Sequence, residues 1–159
     1  MNSPTEHNWI VREANSEDAM GICELLFLLK TMYASTTAAT LQEFLTIHLP
    51  VVQQAIQLAD HLIFVATTQN GDLAGFISLT VRTVLRNPSP VGSIEEIFVL
   101  AEYRKRGVGT ILWKEAARNL RKAGVNRVEV ITSLAHPGQR PFAKSIGMEW
   151  YASVHLLNT

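Results

Sequence analysis

The sequence predicts an α/β (α+β) fold, with a mixed, mostly antiparallel central sheet, helices on both faces and the order β-α-α-β-β-β-α-β-α-β. Three observations support this prediction. Apolar residues recur at helical spacing over residues 17–33 and again after residue 107. Between residues 61 and 99, strand-like runs are joined by short polar turns, which is typical of an antiparallel meander. A long helix then leads to a strand at 127–132, and such a helical crossover makes two strands parallel.

The chain begins with a predicted strand at residues 9–14 (WIVREA). Asn15 or Ser16 can cap the helix over residues 17–33, because short polar side chains accept hydrogen bonds from the first N–H groups of a helix. This helix is heavily apolar, so we expect it to be buried on a wide face. Its Cys23 is the only cysteine of the chain, which excludes an internal disulfide and predicts a buried, inert thiol.

A second helix and a three-stranded meander follow. Thr40 is a candidate cap for a helix at residues 41–49, and Pro50 either starts or kinks its continuation through residue 59. An Asn-Gly pair predicts the first hairpin turn. The strands are expected at 61–68, at 73–85 and in a run that ends at Val99, with turns at 69–72 and 87–90.

The last third of the chain alternates between helix and strand. The long helix ends at Gly124, because glycine readily adopts the left-handed conformation that terminates helices. A strand at 127–132 precedes a short helix at 139–146, which Gly147 stops. A last strand at 149–157 is apolar and would form an edge of the sheet. Such edges are usually covered, so we expect a homodimer.

Composition restricts the class of protein. At 159 residues, the chain is expected to form a single domain over residues 1–159. Hydrophobic residues make up 47% and charged residues 18%, as in compact globular proteins. The 14 basic and 14 acidic side chains balance, so neither a nucleic acid nor a membrane partner is expected. No apolar stretch approaches the ~20 residues of a membrane span. We therefore expect a cytoplasmic protein, and we expect no metal.

A glycine pair, Gly107 and Gly109, follows the third strand of the meander. Glycine lets a ligand approach the backbone closely, and the N–H groups that open a helix have no helical partner. Together with Arg104, Lys105 and Arg106 they favour a bound phosphate or pyrophosphate. The alternative is a basic helix N-terminus that merely follows a tight turn, although basic side chains are unfavourable at that end of the helix dipole.

Two common glycine-rich phosphate sites do not fit this segment. No lysine follows Gly109, as a P-loop requires, and Leu112 stands where the dinucleotide fingerprint needs a small residue. The pattern [QR]-x-x-G-x-[GA] does fit, as Arg104, Gly107 and Gly109. With the acidic strand IEEIFV, the EYR before the loop and the helix that begins GTIL, the chain resembles the GNAT family of N-acetyltransferases. The resemblance is strong over residues 94–147 and only topological before them.

The resemblance implies an acyltransferase that uses acetyl-CoA as its co-substrate. The pantetheine arm would lie between the strands that end at Val99 and residue 132, bonded to backbone like an added strand. The pyrophosphate would lie on N–H groups of the glycine loop. The cofactor-binding residues implied are Phe98, Val99, Leu100, Arg104, Lys105, Arg106, Gly107, Val108, Gly109, Thr110 and His136.

Two adjacent carboxylates, Glu95 and Glu96, stand in an otherwise apolar strand. Buried carboxylates are costly unless they are solvated or paired, so we expect at least one to face a cleft. Strict alternation puts Glu95 on the face of Ile97 and Glu96 on the face of Ile94. The resemblance implies a general base four residues before Val99, which is Glu95, with Glu96 as its substitute. The alternative is that Glu95 pairs with an arginine and does no chemistry.

The sequence departs from the family at the expected general acid. Ala143 occupies the position of the family's tyrosine, whose hydroxyl lies near the thioester sulfur, and His136 occupies that of its asparagine. His136 could donate to the pantetheine, or it could simply cap a loop. Among the tyrosines, Tyr103 is expected to be structural. A thiolate leaves with little help from an acid, so the missing tyrosine weakens this mechanism without refuting an enzyme.

The acceptor is the part that the sequence specifies least. A small-molecule amine and a peptide or protein amine both remain open. In this fold the acceptor site is usually lined by the first two helices and by the region of the strand at 73–85. The polar residues there are Tyr33, Thr36, Thr37, Glu43, His48 and Arg82. Two other classes of function remain as alternatives: a CoA-binding sensor or interaction domain without activity, and another phosphate-ligand enzyme.

Overall fold

A computed structural model of the protein describes residues 9–33, 40–131 and 138–149. Within these residues the sheet has five strands in the spatial order β1-β2-β3-β4-β5, in which β1 to β4 are antiparallel neighbours and β4 and β5 are parallel. The predicted mixed, mostly antiparallel sheet is therefore confirmed. The strands are β1 Ile10–Glu13, β2 His61–Thr67, β3 Leu73–Arg82, β4 Val91–Val99 and β5 Arg127–Val130. The helices are α1 Ala19–Tyr33, α2 Leu41–Gln57, α3 Val108–Lys122 and α4 Gln139–Ser145.

Two apolar clusters hold helices on opposite sides of the sheet. The first, called here the α3-side cluster, joins Leu112 and Ala116 of α3 to alternate strand residues such as Phe64. The second, called the helix-pair cluster, joins α1 and α2 to the intervening strand residues, such as Val65. Neighbouring strand residues point to opposite faces, so one apolar run can supply both clusters. Cys23 is fully buried in the helix-pair cluster, and burial raises the pKa of its thiol, as expected for an inert cysteine.

The predicted elements differ from the observed ones mainly at their ends. Helix α2 continues through Pro50 to Gln57, so the proline lies inside a helix. Strand β3 ends at Arg82, earlier than predicted. Residues 150–157 of the expected last strand lie outside the described residues, and so does any edge that they would form. Within the described part of the chain, no helix is long and apolar enough to span a bilayer.

The N-terminus of α1 is fixed by an ion pair and a capping box. Both guanidinium nitrogens of Arg12 donate to the Asp18 carboxylate, at 2.6 and 2.8 Å. The Asp18 carboxylate also accepts a hydrogen bond from the backbone N–H of Asn15. The side-chain oxygen of Asn15 accepts one from the backbone N–H of Glu17. The hydrogen bond from Arg12 holds the pKa of Asp18 below its ordinary value. This corner ties β1 to the start of the first helix.

We expect Asp18→Ala to lower the free energy of unfolding by about 1 kcal/mol at pH 7, as is typical for loss of a cap. The Asp18 pKa is lowered in the folded protein, so its stabilisation is present above the unfolded-state pKa of about 3.9 and is lost as the pH falls through the folded pKa. Urea unfolding at pH 7 and pH 3 should show a smaller difference between wild type and variant at pH 3. Glu24→Ala, on the exposed side of α1, is the control. An equal difference at both pH values would contradict this account.

Candidate active site

Strand β4 is interrupted by a bulge at the carboxylate pair. Ser78 of β3 lies opposite Glu96, but the next residue, Leu79, lies opposite Ile94, so Glu95 is the extra residue of β4. Ile94 and Ile97 both pack on the α3-side cluster although they are three positions apart. The strict alternation expected from the sequence is therefore wrong here, because a bulge shifts the pattern of faces by one residue.

The two carboxylates have different environments. Glu95 is exposed, and its Oε1 accepts a hydrogen bond from the Thr80 hydroxyl at 2.6 Å. Among the described residues, the ion pairs do not include Glu95, so the expected arginine partner is not observed. Glu96 is only partly exposed. Burial raises the pKa of its carboxyl, and the negative charge of Glu95 raises it further. The bulge therefore places the exposed carboxylate of Glu95 beside Glu96, whose carboxyl pKa is raised above its ordinary value.

Beyond the bulge, β4 continues without β5. The two parallel strands pair only from Val91 opposite Arg127 to Ile94 opposite Val130, within the described residues. A cleft of about 220 Å³ lies beside the C-terminal half of β4. It is lined by Leu29, Ile97, Phe98, Val99, Arg104, Gly109, Gly138, Gln139 and Phe142. The cleft therefore extends along the strand from Ile97, the residue after the carboxylate pair, to the beginning of α3.

The loop before α3 turns through two left-handed residues. Lys105 has a φ of 58° and Gly107 a φ of 84°. The first backbone bond of α3 runs from Ile111 N–H to the Gly107 carbonyl at 3.0 Å, so the N–H groups before Ile111 precede the helical ladder. Left-handed residues in such a turn bring successive N–H groups together as an anion-binding concavity. The geometry therefore fits the predicted pyrophosphate site.

Gly109 is required by a close approach. A Cβ on this residue would lie 3.2 Å from Cε2 of Phe142 in α4, a ring that also lines the cleft. Any larger side chain at position 109 would therefore push against Phe142 or extend into the cleft. Phe142, which precedes Ala143 in the short helix, is not among the site residues predicted from the sequence.

The side chain of Arg104 contacts the C-terminal end of β4. Its Nε donates to the Val99 carbonyl at 2.9 Å, its guanidinium lies 5.4 Å from the centre of the Phe98 ring, and one terminal nitrogen lies 3.6 Å from the sulfur of Met32 in α1. The side chain thus forms one wall of the cleft. Its positive charge remains near the loop, and Lys105 and Arg106 are exposed beside it.

The structure brings four of the sequence-predicted residues together, since Phe98, Val99, Arg104 and Gly109 all line the cleft. The side chain of Val108 is buried in the α3-side cluster, so a contact with a ligand would be made by its N–H, as expected for the pyrophosphate site. One expected backbone contact is restricted. The N–H of Leu100 already donates to the Ala74 carbonyl at 3.0 Å, which leaves it unavailable. His136 lies outside the described residues.

The candidate acceptor residues with described side chains have structural partners. Glu43 bonds to the N–H of Thr40 in a capping box at the start of α2. His48 stacks on Phe44 with ring centroids 3.9 Å apart. Arg82 forms an ion pair with Glu129 of β5. Each of these three side chains therefore has a structural role. Tyr33 is the last residue of α1, and Thr36 and Thr37 lie outside the described residues.

A second, smaller cavity separates β4 and β5 from α4. Its lining includes Ala143, which has no hydroxyl, together with Ile94, Glu95, Ile97, Val130, Ile146 and Met148. Tyr103 contacts Trp9 edge to face, with centroids 5.2 Å apart, as expected for a structural tyrosine. No cluster of three or more metal-ligating side chains is found in the described ranges.

The family follows from the sequence profile that matches this chain. The profile of the Acetyltransferase (GNAT) family aligns with residues 29–148, which is most of the chain. The chain therefore belongs to the GNAT acetyltransferase family and is an acyltransferase. A search of curated protein sequences gave no significant match.

Solved structures agree on the fold. An aminoglycoside antibiotic 6'-N-acetyltransferase from Acinetobacter baumannii superposes with a TM-score of 0.77 at 18% identity, covering 96% of this chain and 98% of the other. An aminoglycoside acetyltransferase from an uncultured soil metagenomic sample, in complex with sisomicin, gives 0.73 at 16% identity, covering 95% of each chain. A ribosomal-protein-alanine N-acetyltransferase from Brucella melitensis gives 0.77 at 13% identity, covering 95% and 99%. At these identities the likeness shows the fold and leaves the acceptor open.

The raised pKa of Glu96 predicts a cost to stability. A carboxyl whose folded pKa lies above its unfolded value destabilises the fold once the pH rises above the unfolded pKa of about 4.3. We expect Glu96→Gln to increase the free energy of unfolding by about 1 kcal/mol at pH 7, the lower range for a partly buried polar group. The gain should vanish at pH 3, where both side chains are neutral. Glu95→Gln is the comparison variant: it removes only the repulsion from Glu95 and not the burial of Glu96, so its gain should be smaller. Urea unfolding measures both. A variant that is less stable than wild type at pH 7 would contradict the burial of Glu96.

Proposed function

We propose that this protein transfers an acetyl group from acetyl-CoA to a primary amine of a small molecule or of a peptide or protein, directly within a ternary complex. The observation that supports this proposal most is the second half of β4, which pairs with β3 but, among the described residues, not with β5. It leads from the carboxylate pair at one end to the left-handed loop and the start of α3 at the other. A ligand with an amide-containing arm and a pyrophosphate would fit this arrangement.

The residues present fit acetyl-CoA. The backbone of Phe98 and Val99 would pair with the pantetheine amides as an added strand does. The N–H groups of Gly107, Val108 and Gly109 would bind the pyrophosphate, with the charges of the neighbouring basic side chains in support. Bound acetyl-CoA supplies the thioester whose acetyl group goes to the amine. This assignment accounts for the left-handed turn of the loop and for the glycine pair.

The carboxylate pair would act on the amine. We assign Glu95 as the general base, because it is the exposed carboxylate and it lines the smaller cavity beside the cleft. Thr80 bonds to one of its oxygens, which leaves the other for a proton from the amine or from an intervening water. Glu96 adds negative charge at the same bulge. Two carboxylates this close attract an ammonium group, which favours a cationic acceptor.

No tyrosine hydroxyl is supplied at position 143. Ala143 borders the cavity next to Glu95, and the side chains that line this cavity are apolar apart from Glu95 and Gln139. A thiolate is a weak base compared with an amine, so its departure needs less protonation. We therefore propose a mechanism in which removal of the proton from the amine is the main contribution of the side chains.

We expect calorimetric titration to show binding of both acetyl-CoA and CoA to the wild type. In Gly109→Trp the dissociation constant for either ligand should rise at least tenfold, because the indole would collide with Phe142 or fill the cleft. Lys114→Trp puts the same side chain on the exposed side of α3 and should leave binding unchanged. Thermal melting checks that both variants fold. Failure of the wild type to bind either ligand would refute the acetyl-CoA assignment.

The base assignment predicts a difference between the two glutamates. Thiol release from acetyl-CoA is measured with a panel of amines that includes aminoglycosides and a peptide with an N-terminal alanine. With the best acceptor, Glu95→Gln should lower kcat about 100-fold, the lower range for loss of a general base. Glu96→Gln should mainly raise KM for the amine, because it removes an attracting charge. If Glu96→Gln lowers kcat more than Glu95→Gln does, the general base is Glu96. Binding of CoA without turnover of any amine would favour a sensor.

A further inference from the structure

The loop before α3, the proposed pyrophosphate site, is contacted by Trp9, which lies near the beginning of the described chain. The indole Nε1 of Trp9 donates a hydrogen bond to the carbonyl oxygen of Arg106 at 3.3 Å, across 97 positions of sequence. Arg106 is in the middle of the loop, between the two left-handed residues Lys105 and Gly107. Trp9 immediately precedes β1, so this bond links the beginning of the sheet to the glycine loop.

The hydrogen bond fixes the direction of one peptide group. In a trans peptide the C=O and the following N–H lie in one plane and point in opposite directions. Because the Arg106 carbonyl is held toward the Trp9 indole, the N–H of Gly107 is directed away from it. That N–H is the first donor before α3, at the place where the loop geometry brings N–H groups together for an anion.

Trp9 is itself held in place by packing. Its ring meets Tyr103 edge to face, with centroids 5.2 Å apart and an interplanar angle of 73°. Both rings pack against the α3-side cluster. Tyr103 ends the short 3-10 turn before the loop, and its N–H donates to the Leu100 carbonyl at 3.0 Å. The Trp9 indole therefore packs on Tyr103, which precedes the loop, and donates a hydrogen bond to Arg106 within the loop.

We propose that Trp9 is a positioning residue for the pyrophosphate site, which it tunes without touching the ligand. Its indole N–H sets the orientation of the Arg106–Gly107 peptide and thereby aims the Gly107 N–H at the bound anion. This inference rests on the proposed function, because it assumes that CoA is bound through this loop. It extends the site to a residue outside the glycine motif and outside the residues that line the cleft. A purely structural Trp9 would affect stability and every ligand alike.

The test is to remove the N–H donor while keeping the aromatic ring. Trp9→Phe keeps a ring against Tyr103, and benzothienylalanine at position 9 keeps the full bicyclic shape with sulfur in place of N–H. Dissociation constants are measured by calorimetry for CoA and for pantetheine, which lacks the pyrophosphate. We expect CoA to bind about fivefold more weakly to both variants, which corresponds to loss of one hydrogen bond worth about 1 kcal/mol. Binding of pantetheine should be unchanged.

The matched control is Trp113→Phe. Trp113 belongs to α3 and also packs on the α3-side cluster, so this variant loses comparable apolar contact. It should lower the melting temperature without the selective loss of CoA affinity. A second readout needs no ligand: in amide NMR spectra, the Gly107 resonance should shift in the Trp9 variants and not in Trp113→Phe.

The outcomes separate this inference from the proposed function. If the wild type binds CoA and the benzothienylalanine variant binds it equally well, the role of Trp9 is refuted while the proposed function stands. Equal weakening of CoA and pantetheine would also refute it, because that result is expected of a structural residue. If the wild type binds neither ligand, the proposed function fails, and the positioning role fails with it.

Discussion

The incomplete pairing of β4 shapes the candidate site more than any other feature. The strand pairs along its length with β3, but within the described residues it pairs with β5 only as far as Ile94. Backbone N–H and C=O groups that leave water need hydrogen-bond partners, and a ligand that pairs like a strand would satisfy those of the second half of β4 that point away from β3. The bulge at Glu95 stands at the point where this separation begins. The cleft, the carboxylates and the loop all follow from the position of that break.

The carboxylate of Glu96 is unfavourably placed at the bulge. Glu96 is partly buried beside a second carboxylate, and both conditions raise its pKa. A core built only for stability would place an apolar residue there. By contrast, Arg12 and Asp18 form a bidentate pair that lowers the pKa of the acid and holds α1 to β1. The two carboxylate environments of this fold therefore have opposite energetic effects, and the unfavourable one lies at the candidate site.

The side chains of the loop serve largely to shape it. The Arg104 side chain bonds to the Val99 carbonyl, Val108 is buried and Tyr103 packs on Trp9. In the proposed function the ligand contacts are made by backbone N–H groups, whose directions depend on residues far away in sequence. β3 contributes to the same arrangement, since a Cβ on Gly75 would lie only 2.5 Å from the Phe98 carbonyl oxygen. Sequence motifs within the loop cannot reveal such supports.

Hydrophobic period and glycine placement are local properties of a chain, so the sequence alone predicts the order of the elements, the antiparallel meander, the parallel crossover and a candidate anion site at Gly107 and Gly109. The faces of Glu95 and Glu96 are not predictable in this way, since a bulge depends on how β4 registers against β3. The same holds for the hydrogen bond from the Leu100 N–H to the Ala74 carbonyl and for the contact of Trp9 with the loop. These contacts join segments far apart in the chain, and their geometry exists only once the sheet has formed.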